Sequence, residues 1–122
     1  MALPPPDRDA PIICSAIAQL HTLEFVYDGK PRVVEPYCHG TSTKGLEQVR
    51  AIQVGGQGSG FGFGKQWTIG KMVGLRMTER TFVPDDPNYN PDDTAFVRIH
   101  CRVEPAVRRA PLRLVAGGRS RR

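Results

Sequence analysis

At 122 residues the chain holds one hydrophobic core and has no room for two. Thirteen glycines and eleven prolines against 39% apolar residues exclude a helical bundle and favour short strands with many turns. The net charge of +5 sits in the tail: residues 102–122 carry seven arginines and one acid, while residues 1–101 carry ten basic and eleven acidic groups. The pI therefore gives no ground for a basic folded surface.

No run approaches the ~18 apolar residues of a membrane helix, so no membrane association is expected. The opening Met-Ala-Leu-Pro-Pro-Pro lacks the apolar stretch of a secretory signal. With three cysteines, an odd number, this predicts reduced thiols and a cytoplasmic protein.

Residues 1–10, proline-rich and polar, are expected to be disordered. A helix is predicted from Pro11, capped by Asp9 or Ala10, because Ile12, Ile13, Ala16, Ile17 and Leu20 recur on one helical face. Leu23 to Tyr27 alternates as a strand with Leu23, Phe25 and Tyr27 on one face. Asp28-Gly29 is a hairpin turn, and Arg32 to Tyr37 is the return strand, ending near Pro36. Leu46 to Val54 forms a third strand, with Arg50 on the same side as Leu46, Ile52 and Val54. A glycine-rich run from Gly55 to Gly64 reads as a hairpin loop. Lys65 to Ile69 and Leu75 to Phe82 supply the fourth and fifth strands, and residues 83–93 a turn-rich excursion. Val97, Ile99, Cys101 and Val103 alternate with polar neighbours as an added strand with one buried face. The expected core is Phe25, Val33, Val49, Ile69, Leu75, Phe82, Val97 and Ile99, with Ile13 and Ile17 from the helix.

The run Phe25-x-Tyr27-Asp28-Gly29-x-x-Arg32-x-x-x-Pro36, followed at fitting distances by Arg50-Ala51, Lys71 and Phe82, resembles a WYL domain. The resemblance covers about seventy residues; Glu47-Gln48-Val49 stands where the family has Trp-Tyr-Leu, and Lys71-Met72 where it commonly has Arg-Ile. It implies a mainly β, small SH3/Sm-like antiparallel barrel with one N-terminal helix; with the added C-terminal strand read from alternation, the domain is expected over residues 11–103, followed by an Arg-rich tail over 104–122. The resemblance also implies a stand-alone, non-enzymatic regulatory module in transcriptional or stress and defence regulation, needing no cofactor. Its ligand would be a nucleotide or short single-stranded nucleic acid, held by the positions that match: Tyr27, Arg32, Arg50 and Lys71. Arginine forks fit phosphate and a tyrosine ring can stack on a base. The competing assignment pairs Arg32 and Arg50 with Glu24, Glu35 or Glu47 across neighbouring strands. The alternative function is a protein-interaction module that accepts a partner regulator along a strand edge.

Other motifs carry less. Gly64-Lys65 is followed by Gln66-Trp67, not by the Ser or Thr and helix of a phosphate-binding loop, and Phe61 and Phe63 are expected in a floppy loop. Cys38-His39 and His100-Cys101 are the right residue types for zinc, but strand neighbours point to opposite faces and the spacing matches no finger, so no metal is expected. Asp85-Asp86 and Asp92-Asp93 are expected to be solvated. In the tail, Arg108, Arg109 and Arg113 would give nonspecific phosphate contacts, with a merely solubilising end as the alternative.

Overall fold

The computed structural model describes residues 5–58 and 65–104, with side chains from Pro11 onward. Helix α1 (Pro5–Gln19) precedes six strands: β1 (His21–Tyr27), β2 (Lys30–Ser42), β3 (Glu47–Gly56), β4 (Gln66–Thr68), β5 (Val73–Thr81) and β6 (Phe96–Arg102). A 3₁₀ turn, Ile69–Lys71, separates β4 from β5. The helix thus begins before Pro11, and residues 5–10, expected to be disordered, form its first turns. No described helix is long and apolar enough to cross a membrane. The Arg-rich tail, with Arg108, Arg109 and Arg113, and the loop residues Phe61 and Phe63 lie outside the described residues.

The hairpin predicted from Asp28-Gly29 is present. Both residues have positive φ, 53° and 75°, as a two-residue turn matched to strand twist requires. The turn fixes the register Phe25↔Arg32 and Leu23↔Val34. Cross-strand partners share a face, so Arg32 and Val34 point inward with Phe25 and Leu23. This corrects the core: Val34 is fully buried and Val33 only partly so.

Strand β2 organises the sheet. Its first half pairs with β1, its second half with β6 on Cys38–Ser42, and β3 pairs along most of its length. Pro36, the expected strand end, instead lies inside β2, between the residues paired with β1 and those paired with β6 and beside a bulge in the β2–β3 ladder. A residue that cannot donate is tolerated at such a place. The path runs β4-β3-β2-β1-β5, and β6 joins it at β2. Among the described residues β4 and β5 are the ends of an open antiparallel sheet, with no ladder joining them into the expected barrel; β4 is only three residues long.

Helix α1 packs Ile13, Ala16 and Ile17 onto the sheet, among Leu23, Phe25, Val34, Tyr37, Val49 and Trp67. The helix stops at Leu20, whose φ of 60° is left-handed and whose carbonyl accepts the Phe82 N–H at 2.9 Å. The added strand does not bury the face expected of it. Val97 is 68% exposed and Ile99 half-buried, because the β2–β6 register shifts past Val97 and again past His100. Each shift takes one residue out of the ladder and breaks the period of two. Leu75 is also only half-buried.

Candidate functional site

Three of the four residues expected to bind a ligand meet at one corner, where the ends of β1, β2 and β4 adjoin the 3₁₀ turn. Tyr27 and Trp67 stack edge to face, with ring centroids 5.0 Å apart. The Arg32 guanidinium lies 5.3 Å from the Trp67 ring and 5.9 Å from Tyr27. Lys71 Nζ stands 5.9 Å from the Tyr27 ring, and Lys65 Nζ stands 5.1 Å from Trp67 and 6.0 Å from Tyr27. Cations over aromatic faces are held by roughly 0.5–2 kcal/mol each. Lys65 was missed in the sequence, although it lies two residues before the tryptophan and so on the same strand face.

The roles differ from those expected. Tyr27 and Trp67 are buried, at 5% and 0% exposure, so neither ring can stack on a base. Arg32 is buried too, and donates to Gln53 Oε1 at 3.2 Å and to the Tyr27 carbonyl at 3.1 Å. Gln53 Nε2 in turn donates to the carbonyls of Gly55 and Gln57, tying down the start of the glycine-rich loop. A Cβ at Gly58 would stand 2.9 Å from the Arg32 guanidinium carbon, and its φ is +89°. Only glycine lets the backbone pass so close to this cation. The charges left to meet a ligand are those of Lys71, exposed, and Lys65, half-exposed; among the described residues neither is ion-paired to a carboxylate. A separate open groove of about 270 Å³ is lined by Glu24, Val26, Pro31, Arg32, Val33 and Val73, and by neither lysine.

Arg50 does not join them. Alternation along β3 turns Val49, Ala51 and Gln53 inward and Arg50, Ile52 and Val54 to the opposite face. There Arg50 grips Asp93 with two bonds, Nε to Oδ2 at 2.7 Å and Nη2 to Oδ1 at 3.2 Å. Two of the expected partners are engaged elsewhere: Glu24 with Arg76, Glu47 with histidines. Asp93, expected to be solvated, is thus mostly buried, whereas Asp92 is 85% exposed.

Burial pushes the Asp93 carboxyl up, but the Arg50 hydrogen bond, the Ala95 N–H and the guanidinium charge outweigh it and hold the carboxyl below its ordinary 3.8. As pH falls, the unfolded chain therefore takes up this proton first. The stabilisation is fully present above the unfolded value of about 4 and is lost as pH falls through the lower folded value. Asp93→Asn is expected to cost about 3 kcal/mol at neutral pH and to flatten the acid limb of stability, read from urea midpoints between neutral and acid pH. An unchanged acid limb would contradict the pairing.

A second cluster lies under α1. Cys14 and Cys101 form a disulfide, so the expectation of reduced thiols fails for these two; the pair joins α1 to β6 across 87 residues of sequence. Only Cys38 is a free thiol, and burial pushes it up to about 12. His39 Nδ1 faces Cys14 Sγ at 3.8 Å, and His39 Nε2 lies 3.0 Å from Glu47 Oε1. Glu47 also meets Thr41 and His100, the latter at 3.2 Å. Burial lowers the His39 pKa, with the Glu47 hydrogen bond opposing, so the ring is neutral at neutral pH and donates a hydrogen bond from Nε2–H to the Glu47 carboxylate. Burial raises Glu47, but Thr41, His39 and His100 outweigh it and keep it ionised. Of the two Cys-His pairs, His39 from one and Cys101 from the other reach this cluster. Cys14, on the helix, was the residue missed.

Comparisons with known protein families, with curated proteins and with solved structures found no match to this chain.

Proposed function

We propose that the protein is a non-enzymatic binding module of WYL-like type, which takes a phosphate-bearing ligand, a nucleotide or short single-stranded nucleic acid, at the Tyr27–Trp67 corner. One observation carries this reading: Lys65 and Lys71 converge on the Tyr27 ring, with the buried Arg32 over Tyr27 and Trp67. Ammonium groups act on phosphate as point charges. Arg32 holds the corner together, and Arg50 has a structural task through Asp93.

The test is fluorescence anisotropy with a labelled single-stranded oligonucleotide at two salt concentrations. The full chain should bind with salt-sensitive affinity, and each lysine removed should lower the salt slope by about one. Lys65→Ala/Lys71→Ala should lose binding, while truncation after Val103 should keep it. Binding lost only with the tail would overturn the site. A second reading has one observation of its own: β5 pairs with β1 alone among the described strands, leaving an edge for a partner strand. A stoichiometric protein partner that remains after nuclease treatment, with no oligonucleotide binding, would favour it.

A further inference from the structure

The cysteine–histidine cluster is independent of the lysine corner. We infer that the reduced protein binds one Zn²⁺ through Cys14 Sγ, Cys101 Sγ and His39 Nδ1, and that the disulfide is the oxidised, metal-free state of the same site. The three ligand atoms come from α1, β6 and β2 and lie within 4.8 Å of one another. Two thiolates and an imidazole are a zinc donor set, and three protein ligands leave the fourth position to water or a small anion.

The imidazole is set for this role. Glu47 occupies Nε2, so the Nδ1 lone pair is directed at sulfur. A disulfide sulfur has no proton to give, so in the oxidised protein the 3.8 Å contact is not a hydrogen bond. Around a tetrahedral zinc, sulfur at about 2.3 Å and nitrogen at about 2.0 Å would stand about 3.5 Å apart, close to that contact. The sulfurs would part to about 3.8 Å, within reach of side-chain rotation from Cα atoms 5.8 Å apart. Behind the ligand, Glu47 fixes the ring and raises its basicity, the role of a carboxylate partner to a metal-bound histidine. Cys38, next to His39 on β2, is aimed at the opposite face and stays outside.

The two states exclude each other, because the same sulfur electron pairs bind either metal or sulfur. A hydroperoxide is the oxidant class that interconverts them. One thiolate attacks a peroxide oxygen, the O–O bond breaks, and a sulfenic acid and water form after one proton is taken up. The second thiolate attacks that sulfur and expels hydroxide, which takes up the second proton, and the S–S bond closes. Two thiolates, hydrogen peroxide and two protons give a disulfide and two waters, and Zn²⁺ leaves. A dithiol reductant reverses the change by exchange.

The test uses the full chain, reduced under inert gas, with Co²⁺ as a spectroscopic stand-in and Zn²⁺ measured against a chromophoric chelator. One equivalent of Co²⁺ should give thiolate-to-cobalt charge transfer and the visible bands of a tetrahedral site. The bands should be lost in Cys14→Ser and Cys101→Ser and kept in Cys38→Ser. Glu47→Gln should weaken Zn²⁺ binding about 10–100-fold. Oxidised protein should bind neither ion, and peroxide should release one Zn²⁺ per disulfide formed. If the reduced chain unfolds, Zn²⁺ should refold it, and circular dichroism reads this directly. Absent thiolate bands, bands that survive loss of Cys14 or Cys101, or a reduced chain that Zn²⁺ neither binds nor refolds would each overturn the inference.

Discussion

Trp67→Ala is expected to cost about 3–5 kcal/mol, read as a fall in the urea midpoint at unchanged slope. The side chain is fully buried, and its ring centroid lies 5.5 Å from Phe25 and 5.0 Å from Tyr27. Its indole N–H donates to the Ala51 carbonyl at 3.3 Å. Alanine would leave a cavity between two strands and remove the surface over which Arg32 and Lys65 lie. Trp67→Phe keeps most of the volume and should recover more than half of the loss. Phe25→Ala and Ile17→Ala, both at sites under 4% exposed, should cost about 2–5 kcal/mol. A Trp67→Ala midpoint within error of the wild type would contradict the packing of the corner.

Reducing Cys14–Cys101 is expected to cost about 2–5 kcal/mol. The bridge closes a sequence separation of 87, so its loss frees a long loop in the unfolded chain, and the entropy gained there grows with loop length. For a domain whose whole stability is of order 5–15 kcal/mol, that is a large fraction. The full chain with reductant and chelator should unfold at a clearly lower urea concentration than the oxidised protein. Cys14→Ser/Cys101→Ser should match the reduced protein and be indifferent to reductant. A midpoint that reductant leaves unmoved would contradict the bridge.

The β1–β2 hairpin was legible in the sequence because Asp28-Gly29 fixes a register without help from distant residues. That register also held an answer the core assignment overlooked. With Phe25 inward, a two-residue turn forces Arg32 and Val34 inward and Val33 outward. The same step makes Arg32 a buried structural cation rather than an exposed ligand contact. Other features had no local signal. Arg50 finds Asp93 forty-three residues away through a loop that folds back over β3, and Glu and Asp candidates nearer in sequence gave no means to choose. The bulges that expose Val97 and displace His100 come from the pairing of β6 with β2. Cys14 looked like one small residue on an amphipathic helix. Its partner became visible only once the helix was laid across the far end of β2. Whether a ladder closes is likewise a property of the two terminal strands, here a three-residue β4 and a β5 whose outer edge pairs with no described strand, which alternation cannot reveal.

Trp67 is the single tryptophan of the chain and stands at the centre of the proposed corner, so its emission is a built-in reporter of occupancy. The most direct measurement is a titration of that emission with an unlabelled single-stranded oligonucleotide. The account predicts a saturable change that persists after truncation at Val103 and in Arg50→Ala, and that vanishes in Lys65→Ala/Lys71→Ala. An emission that does not respond in the full chain, or responds equally without the two lysines, would contradict a phosphate-binding corner.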